Sequence, residues 1–314
     1  MNPIRLAIIV PCYNEEDVLP ETSVRLTALL QDMQSKQLIS SDSYALLVDD
    51  GSRDNTWKLI EQLHGSSVMF RGLKLSRNFG HQNALLAGLH HADDADILIS
   101  IDADLQDDLN AMYEMLNKYR EGYDIVYGVR DDRSTDTLFK RKTALAFYKM
   151  LSLMGVESVY NHADYRLISR RAMDAFKDFT EANLYLRGMV PMLGFKSASV
   201  YYKRGERFAG TSKYNFRKMF SFAWNGVSGL SVKPLHFVAF CGFFVFSLSI
   251  LLTLYALIAY INYKTAPGWA STVIPIYFLG GIQLLCIGLI GEYIAKIYRE
   301  VKNRPRFIIE MKLE

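Results

Sequence analysis

The sequence predicts an α/β fold with a mostly parallel sheet covered by helices on both faces, followed by a membrane-spanning helical hairpin. Five apolar runs, at residues 6–10, 44–48, 73–75, 97–101 and 125–127, alternate with helix-like segments near 17–34, 54–63, 81–92 and 108–120. Short continuous runs of Val, Ile and Leu are typical of strands buried on both faces of a parallel sheet. Residues 234–263 and 265–291 contain no Asp, Glu, Lys or Arg, and each is longer than the roughly 20 residues that cross a bilayer.

The composition limits the class of protein. The chain has 314 residues, of which 50% are hydrophobic and 22% charged, enough for one sizeable domain and a smaller part. A net charge of +3 gives no overall field that would favour nucleic acid. The three cysteines, Cys12, Cys241 and Cys286, form neither a disulfide framework nor a zinc-binding pattern, which fits a reducing compartment.

The chain is predicted to divide into four parts. These are a cytoplasmic globular domain over residues 1–211, an amphipathic membrane-interface helix over 212–233, a transmembrane hairpin over 234–295 and a basic cytoplasmic tail over 296–314. The two spans of the hairpin are expected at about 235–261 and 272–294. The interface helix is inferred from apolar side chains at helical spacing with basic residues near its start. An ordinary core-facing helix is its alternative.

The hairpin is flanked by basic residues on both sides. Lys and Arg recur in residues 204–233 and again in 296–306, whereas the connector between the spans carries a single charge at Lys264. By the positive-inside bias, both flanks and therefore both termini are cytoplasmic. The apolar run at 6–10 is too short for the core of a signal peptide, so the first domain is expected to stay in the cytosol. Two buried helices of a soluble bundle are the alternative reading.

Polar clusters follow the first four predicted strands. They lie at residues 11–16, 49–55, 76–82 and 102–108. In parallel α/β sheets, ligands bind outside the carboxyl ends of the strands, where these loops converge. Loops that only turn the chain would also be polar, so the clusters favour a site without proving one.

An acidic run after the fourth strand is the strongest candidate for a metal site. Asp102, Asp104 and Gln106 recur at every second residue, and in extended backbone such side chains share one face. Mg²⁺ or Mn²⁺ usually takes one or two carboxylates and completes its shell with water and substrate phosphates. A calcium loop is disfavoured because Asp107 stands where Gly is needed. An acidic turn that caps the helix starting near Asp108 is the structural alternative.

The combination of motifs resembles the family 2 glycosyltransferases of GT-A fold, which is Rossmann-like. The resemblance rests on residues 11–16 (PCYNEE), 49–56 (DDGSRDNT), 76–80 (SRNFG) and 102–107 (DADLQD). Residues 165–170 (YRLISR), 210–215 (GTSKYN) and 291–294 (GEYI) narrow it to polyprenyl-phosphate glycosyltransferases. Within these, the chain most resembles the bactoprenol glucosyltransferase type and is also similar to dolichyl-phosphate mannose synthase.

The resemblance implies a nucleotide-sugar site at the first two motifs and the acidic run. Its expected residues are Pro11, Tyr13, Glu15, Asp50 and Asp102. A carboxylate such as Asp50 can accept the uracil N–H, and Tyr13 can stack on the base. A purely packing role is the alternative for Tyr13.

The resemblance also implies a lipid phosphate as the acceptor. Arg130 is expected to hold it, with Arg141 and Lys213 as further candidates, because Arg and Lys bind phosphate oxygens. The charge run at 140–142 is alternatively a solvated face or one that contacts anionic headgroups. Asp164 and Asp104 are the expected catalytic residues. Asp164 matches the position usually proposed as the base, yet a phosphate monoester is already largely ionised near neutral pH, so positioning the substrate is an equal alternative.

These inferences predict an inverting transfer of a sugar from a UDP-sugar to undecaprenyl phosphate. The reaction would occur at the cytoplasmic leaflet of the bacterial inner membrane and supply cell-envelope glycosylation. Glucose is the first expectation for the sugar and N-acetylglucosamine the second. The rivals are a processive polysaccharide synthase, whose Gln-x-x-Arg-Trp is missing at residues 183–189, and an inactive membrane scaffold or flippase subunit. The oligomeric state, including a homo-oligomer, is left open.

Overall fold

The structure is a computed structural model that describes residues 3–104, 106–130, 162–181, 184–203, 205, 233–261 and 268–314. The strands are β1 (Leu6–Cys12), β2 (Tyr44–Asp49), β3 (Phe70–Leu75), β4 (Ile97–Ser100), β5 (Ile125–Arg130), β6 (His162–Ser169), β7 (Ser197–Tyr202) and β8 (Ile309–Leu313). The helices are α1 (Leu19–Ser35), α2 (Thr56–Ser66), α3 (His81–His91), α4 (Ala111–Arg120), α5 (Arg170–Lys177), α6 (Leu186–Met192), α7 (Lys233–Ile261) and α8 (Trp269–Val301).

The strands form one sheet of eight in the order β7-β5-β6-β4-β1-β2-β3-β8. The neighbours β4, β1, β2 and β3 are parallel, and β5 is parallel to β7. The strand β6 lies antiparallel between β4 and β5, and β8 lies antiparallel against β3. The predicted α/β fold is therefore confirmed, as a mixed sheet whose central part is parallel.

The first strand lies at the centre of the sheet, and all of its residues are buried. Leu6 and Ile8 pack into the core on one face, together with helices α1 and α4, whereas Ala7 and Ile9 pack on the other face against α3. Successive side chains of a strand point to opposite faces, and both faces here are covered. This is why the strand reads as an uninterrupted apolar run.

The chain reverses its direction of travel across the sheet at β1. From β1 it proceeds to β2 and β3 on one side, and it then returns to place β4 on the other side. The loops that follow β1 and β4 consequently diverge and leave a crevice at the carboxyl end of the sheet. The structure thus provides the opening that the polar clusters predicted.

The strand β8 departs from the predicted division of the chain. It lies within residues 296–314, predicted as a basic tail, so the domain predicted over 1–211 takes its last strand from beyond the hairpin. The physical reason is that β3 would otherwise present an unpaired strand edge. Ile309 and Leu313 face the domain, and the residues between them are exposed. The interface helix predicted over 212–233 lies outside the described residues, apart from Lys233 at the start of α7.

The hairpin consists of two long helices, α7 and α8, which contain the predicted spans. Within the described part of the chain, Phe278–Val301 is the one stretch that is long and apolar enough to cross a bilayer, and α7 contributes the shorter apolar stretch Lys233–Val245. Large apolar side chains are exposed on both helices, among them Phe240 and Leu284. Such surfaces suit a lipid environment better than water.

The hydrogen bonds at the start of β5 give a testable prediction about the stability of the fold. The Asp124 carboxylate is buried and accepts hydrogen bonds from Ser169 at 2.9 Å and from Arg171 Nε at 2.8 Å. The bonds from Arg171, followed by the one from Ser169, lower the pKa of Asp124. We expect Asp124→Ala to reduce the free energy of unfolding by about 1–3 kcal/mol at pH 7, measured by thermal unfolding, with exposed Asp178→Ala as the control.

The same measurement has a defined pH dependence. A carboxyl whose folded pKa is depressed stabilises the protein above its unfolded pKa, about 3.9 for Asp. That contribution is lost as the pH falls through the folded pKa. The difference between wild type and Asp124→Ala should therefore shrink below about pH 4, and a constant difference down to pH 2 would contradict the assigned charge interaction.

Candidate functional site

The loops that follow β1 and β2 are joined by hydrogen bonds. The amide of Asn14 donates to Ser52 Oγ at 3.0 Å, the amide of Arg53 donates to Asn14 Oδ1 at 2.9 Å, and the amide of Glu15 donates to Thr56 Oγ1 at 2.9 Å. Asn14 has a φ of 54°, a left-handed conformation that Asn tolerates better than most residues. The first two polar clusters therefore form one rigid surface.

The loop that follows β3 packs against this surface. Both carboxylate oxygens of Asp50 accept backbone N–H groups, from Phe79 at 2.7 Å and from Gly80 at 2.9 Å. Gly51 has a φ of 65°, and a Cβ at this position would lie 2.4 Å from the carbonyl carbon of Arg77. Only glycine allows so close an approach of two backbones. Burial raises the pKa of Asp50, and the two backbone hydrogen bonds oppose that rise.

The predicted nucleoside residues differ in how accessible they are. Tyr13 is 37% exposed, and Glu15 is half-buried in the loop between β1 and α1, so both are accessible at the carboxyl end of β1. Pro11 is buried in β1 opposite Val48, with its side chain away from solvent. Asp50 is buried as well and holds the β3 loop. The structure thus brings Tyr13 and Glu15 to the surface and gives Pro11 and Asp50 supporting positions.

The acidic run lies directly after β4. The Asp102 side chain is 34% exposed, yet its Oδ1 is buried and has no hydrogen-bond partner among the described residues. Asp104 Oδ1 accepts the amide of Gln106 at 3.2 Å, and Thr22 Oγ1 donates to the carbonyl of Ala103 at 2.9 Å, which ties the run to α1. Burial raises the pKa of Asp102, an effect that nearby His81 opposes.

These contacts fit a divalent cation that completes its shell with substrate. Asp102 Oδ1 makes no hydrogen bond among the described residues and has His81 Nε2 3.5 Å away, so a bound cation would give it a closer partner. Across the described residues, no group of three or more His, Cys, Asp or Glu side chains is arranged to hold a metal. A three-ligand protein cage is not required, because Mg²⁺ is commonly held by one or two carboxylates and phosphate oxygens. Asp102 and Asp104 meet that requirement, with Gln106 adjacent.

His81, the first residue of α3, lies between two carboxylates. Its Nε2 is 3.5 Å from Asp102 Oδ1 and 3.6 Å from Asp164 Oδ2. Burial alone would lower the pKa of His81, but the interaction with Asp164 and the charge of Asp102 raise it to about 9. The imidazole therefore links the acidic run to Asp164 on the neighbouring strand β6.

Asp164 is held by two arginines. Arg166 Nη2 donates to its Oδ1 at 2.7 Å, and Arg187 makes a fork, with Nε 3.2 Å from Oδ1 and Nη2 3.1 Å from Oδ2. Burial alone would raise the pKa of Asp164, but the charge of Arg187, followed by His81 and Arg166, holds it well below its usual range. The carboxylate is thus fixed in orientation and ionised.

The predicted acceptor residues are only partly covered by the structure. Arg130 Nη2 lies 3.1 Å from Asp107 Oδ1, and its Nε lies 3.3 Å from the Tyr202 hydroxyl. That hydroxyl also donates to Asp107 at 2.5 Å. Arg130 therefore lies next to the acidic run but interacts with Asp107. Arg141 and Lys213 lie outside the described residues.

Two residues of the site were missed by the sequence interpretation. His81 directly follows the SRNFG motif, and its position as the first helical residue after a site loop was the available signal. Arg187 lies in the segment 183–189, which was read only for its missing Trp. Arg166 was used as a family marker, without a role. No local pattern shows that His81 and Arg187 meet Asp164, because they come from α3 and α6 whereas Asp164 lies on β6.

A mixed α/β sheet with a crevice at its switch point, an acidic run after β4 and a fixed carboxylate beside it are features of an α/β enzyme site. The family described as Glycosyl transferase family 2 matches residues 7–176, and GtrB C-terminal hairpin matches residues 233–297. The first match covers more than half of the chain. The protein belongs to glycosyltransferase family 2, and its C-terminal hairpin indicates membrane association.

Curated relatives align along almost the entire chain. An uncharacterized glycosyltransferase, YkoT of Bacillus subtilis, is 52% identical over 309 residues, covering 98% of this chain and 92% of the relative. The SfII prophage-derived bactoprenol glucosyl transferase of Shigella flexneri is 37% identical over 309 residues, covering 98% of both.

Among solved structures, mannosyl-3-phosphoglycerate synthase from Rubrobacter xylanophilus is similar with 16% identity and a TM-score of 0.45, covering 71% of this chain and 72% of that one. A structural similarity this distant gives no information about the ligands of this chain.

The arginine fork gives a prediction about activity. Replacing Arg187 by Ala removes a charged hydrogen-bond pair worth roughly 1.5–3 kcal/mol, so we expect the transfer rate to fall about 10- to 100-fold. Arg187→Lys should recover little of the loss, since an ammonium cannot make the two-nitrogen fork. Arg120→Lys, far from the site on α4, is the matched control. Full activity of Arg187→Ala would show that the fork is dispensable.

Proposed function

We propose that the protein transfers glucose from UDP-glucose to undecaprenyl phosphate with inversion at the anomeric carbon. The observation that carries the proposal is the pairing of Asp102 and Asp164 on either side of His81. Asp102 Oδ1 makes no hydrogen bond among the described residues, which suits the donor side, whereas Asp164 is held by two arginines on the acceptor side. The choice of substrates is supported by the relatives named bactoprenol glucosyl transferase.

On the donor side, Tyr13 and Glu15 are proposed to contact the nucleoside, with Pro11 and Asp50 shaping the surface beneath them. Asp102, Asp104 and Gln106 would hold Mg²⁺ or Mn²⁺ with the diphosphate. When bound, the cation would neutralise the negative charge that builds up on the departing nucleotide. Asp102 Oδ1, buried without a donor among the described residues, supports this assignment.

On the acceptor side, the lipid phosphate itself is the nucleophile. Its second pKa is about 6, so near neutral pH it carries a charged oxygen and needs no strong base. A carboxylate whose pKa lies well below its usual range, as that of Asp164 does, is a weak base. We therefore assign Asp164 the positioning of the substrate rather than proton abstraction. Arg130, Arg141 and Lys213 remain proposed contacts of the acceptor phosphate.

The membrane arrangement is part of the same proposal. Both α7 and α8 are proposed to cross the bacterial inner membrane, with the catalytic domain and both termini in the cytoplasm. Residues 212–233 are proposed to lie in the headgroup plane as an amphipathic helix. The acceptor phosphate lies at the membrane surface, so this arrangement would keep the site at the cytoplasmic leaflet.

Purified protein tests the function directly. With labelled UDP-glucose, undecaprenyl phosphate and Mg²⁺ or Mn²⁺, we expect a lipid-linked glucose product that EDTA abolishes. Asp104→Asn should lower the rate by at least about 100-fold, because it weakens stabilisation of the leaving group. Asp108→Asn is the control in the same loop, since an amide oxygen can still accept the Asn110 N–H that Asp108 Oδ1 accepts. Transfer that persists in EDTA, or in the Asp104→Asn variant, would contradict the assigned metal site. A lipid product formed only with UDP-N-acetylglucosamine would show that this sugar, and not glucose, is the one transferred.

The role of Asp164 is tested by the pH dependence of the rate. If the acceptor phosphate supplies the nucleophilic oxygen, the wild-type rate rises with pH through about pH 6. The Asp164→Asn variant should have a lower rate, but its rate should rise with pH over the same acidic range, which is the acidic limb of the profile. An acidic limb that disappears in Asp164→Asn would instead identify Asp164 as the base. The fraction of folded enzyme is normalised by UDP binding.

A further inference from the structure

The strand β8 meets the sheet at the point where β3 enters the site. In the antiparallel pairing, Leu75, the last residue of β3, lies opposite Ile309. The next amide along, that of Ser76, donates to the carbonyl of Ile308 at 2.9 Å. The C-terminal segment therefore fixes the first residue of the loop 76–80, whose last two amides hold Asp50.

The residues before β8 contact the other end of α3. The Phe307 ring packs edge-on against His90 and His91, with centroids 6.3 Å and 6.0 Å away. Arg306 Nη2 donates to the carbonyl of Phe179 at 2.5 Å, just after α5. Phe307 and Ile309 both pack against the buried cluster that contains Ala84 and Leu85 of α3. The segment thus contacts the C-terminal end of α3 and the start of the loop that leads into α3.

The docking of β8 is specific in shape and charge. A Cβ on Gly72 of β3 would lie 2.9 Å from Leu313 Cδ1 and 2.8 Å from Ile60 Cγ2, so Leu313 fills a space that only glycine leaves. Lys74 Nζ lies 3.1 Å from Glu310 Oε1 across the strand pair. An incidental tail contact would show neither the close packing nor the matched charges.

We infer that residues 306–313 form a C-terminal clamp that positions the β3 loop and α3, and thereby Asp50 and His81, for the transfer reaction. Phe307 and Ile309 are its positioning residues. Only residues 302–305 separate the clamp from the end of α8, a reach of at most about 18 Å. The membrane hairpin is therefore tied closely to the donor side of the site. The inference rests on the proposed function only for its effect on the reaction.

The test uses the full-length protein in nanodiscs with Phe307→Ala and Arg306→Ala. The first variant removes the contact with α3. The second removes a surface hydrogen bond and spares the core, which covers the case in which Phe307→Ala fails to fold. Met33→Ala is a control for general destabilisation, because Met33 is buried in the opposite cluster. Lys312→Ala is a control within β8, where its side chain is exposed.

The primary measurement is hydrogen–deuterium exchange of the peptide that contains the Phe79 and Gly80 amides. We expect at least tenfold faster exchange in both clamp variants and no change in either control. In transfer assays, the KM for UDP-glucose should rise several-fold in the clamp variants, whereas Met33→Ala should lose stability with an unchanged KM. Phe307→Leu should restore part of both properties.

Each outcome is decisive. Unchanged exchange in the clamp variants, or an equal rise in Met33→Ala, overturns the positioning role and leaves β8 as a stabilising strand only. Faster exchange with an unchanged KM overturns the link to donor binding. If wild type transfers no glucose at all, the proposed function fails, while the exchange measurement still judges the clamp.

Discussion

The site depends on the ion pair between Asp164 and Arg166. Arg166 is only 1% exposed, and a buried guanidinium without a counter-charge would cost several kcal/mol. Asp164 supplies that charge at 2.7 Å, and a hydrogen bond to the carbonyl of Leu186 adds a second partner. Because both residues lie on β6, between β4 and β5, the pair fixes a carboxylate beside the acidic run. Removing Asp164 would leave a buried charge as well as alter the site, so its effect on activity has to be separated from its effect on folding.

The charges of the site are divided between its two sides. Asp102 and Asp104 give the proposed donor side negative charge, which a bound cation would offset, whereas Arg166 and Arg187 give the Asp164 side a surplus of positive charge. His81 lies between them and contacts both carboxylates. In the proposed reaction, a diphosphate arrives with its cation at the first side and a phosphate monoester arrives near the second. Two anionic substrates are thereby brought together without direct repulsion, since each meets charge of the opposite sign.

The sequence predicted the elements whose burial is uniform. All five predicted strands and four predicted helices are present, because β1 to β5 carry continuous apolar runs between helical segments. The strand β6 was not predicted, since Asp164 and Arg166 interrupt its apolar pattern and several of their partners, such as Arg187 and the Leu186 carbonyl, come from another part of the chain. The strand β8 alternates apolar and charged residues, as an exposed edge does, and therefore resembled a polar tail. Likewise, the acidic run could be recognised from the spacing of its residues, whereas His81 and Arg187 reach Asp164 from two other elements, α3 and α6.

The position of β8 changes how the hairpin relates to the catalytic domain. The chain leaves the sheet after β7 and returns to it as β8 on the opposite edge, with α7 and α8 between them. A domain joined to a membrane by one linker can rotate about it, whereas a second attachment close to the end of α8 restricts that rotation. A lipid acceptor has its phosphate at a nearly fixed depth, so a restricted domain loses less orientational freedom when the phosphate and the donor meet. In the proposed reaction, attachment on the donor side would leave the Asp164 side to face the lipid, which is the arrangement that direct attack by the phosphate requires.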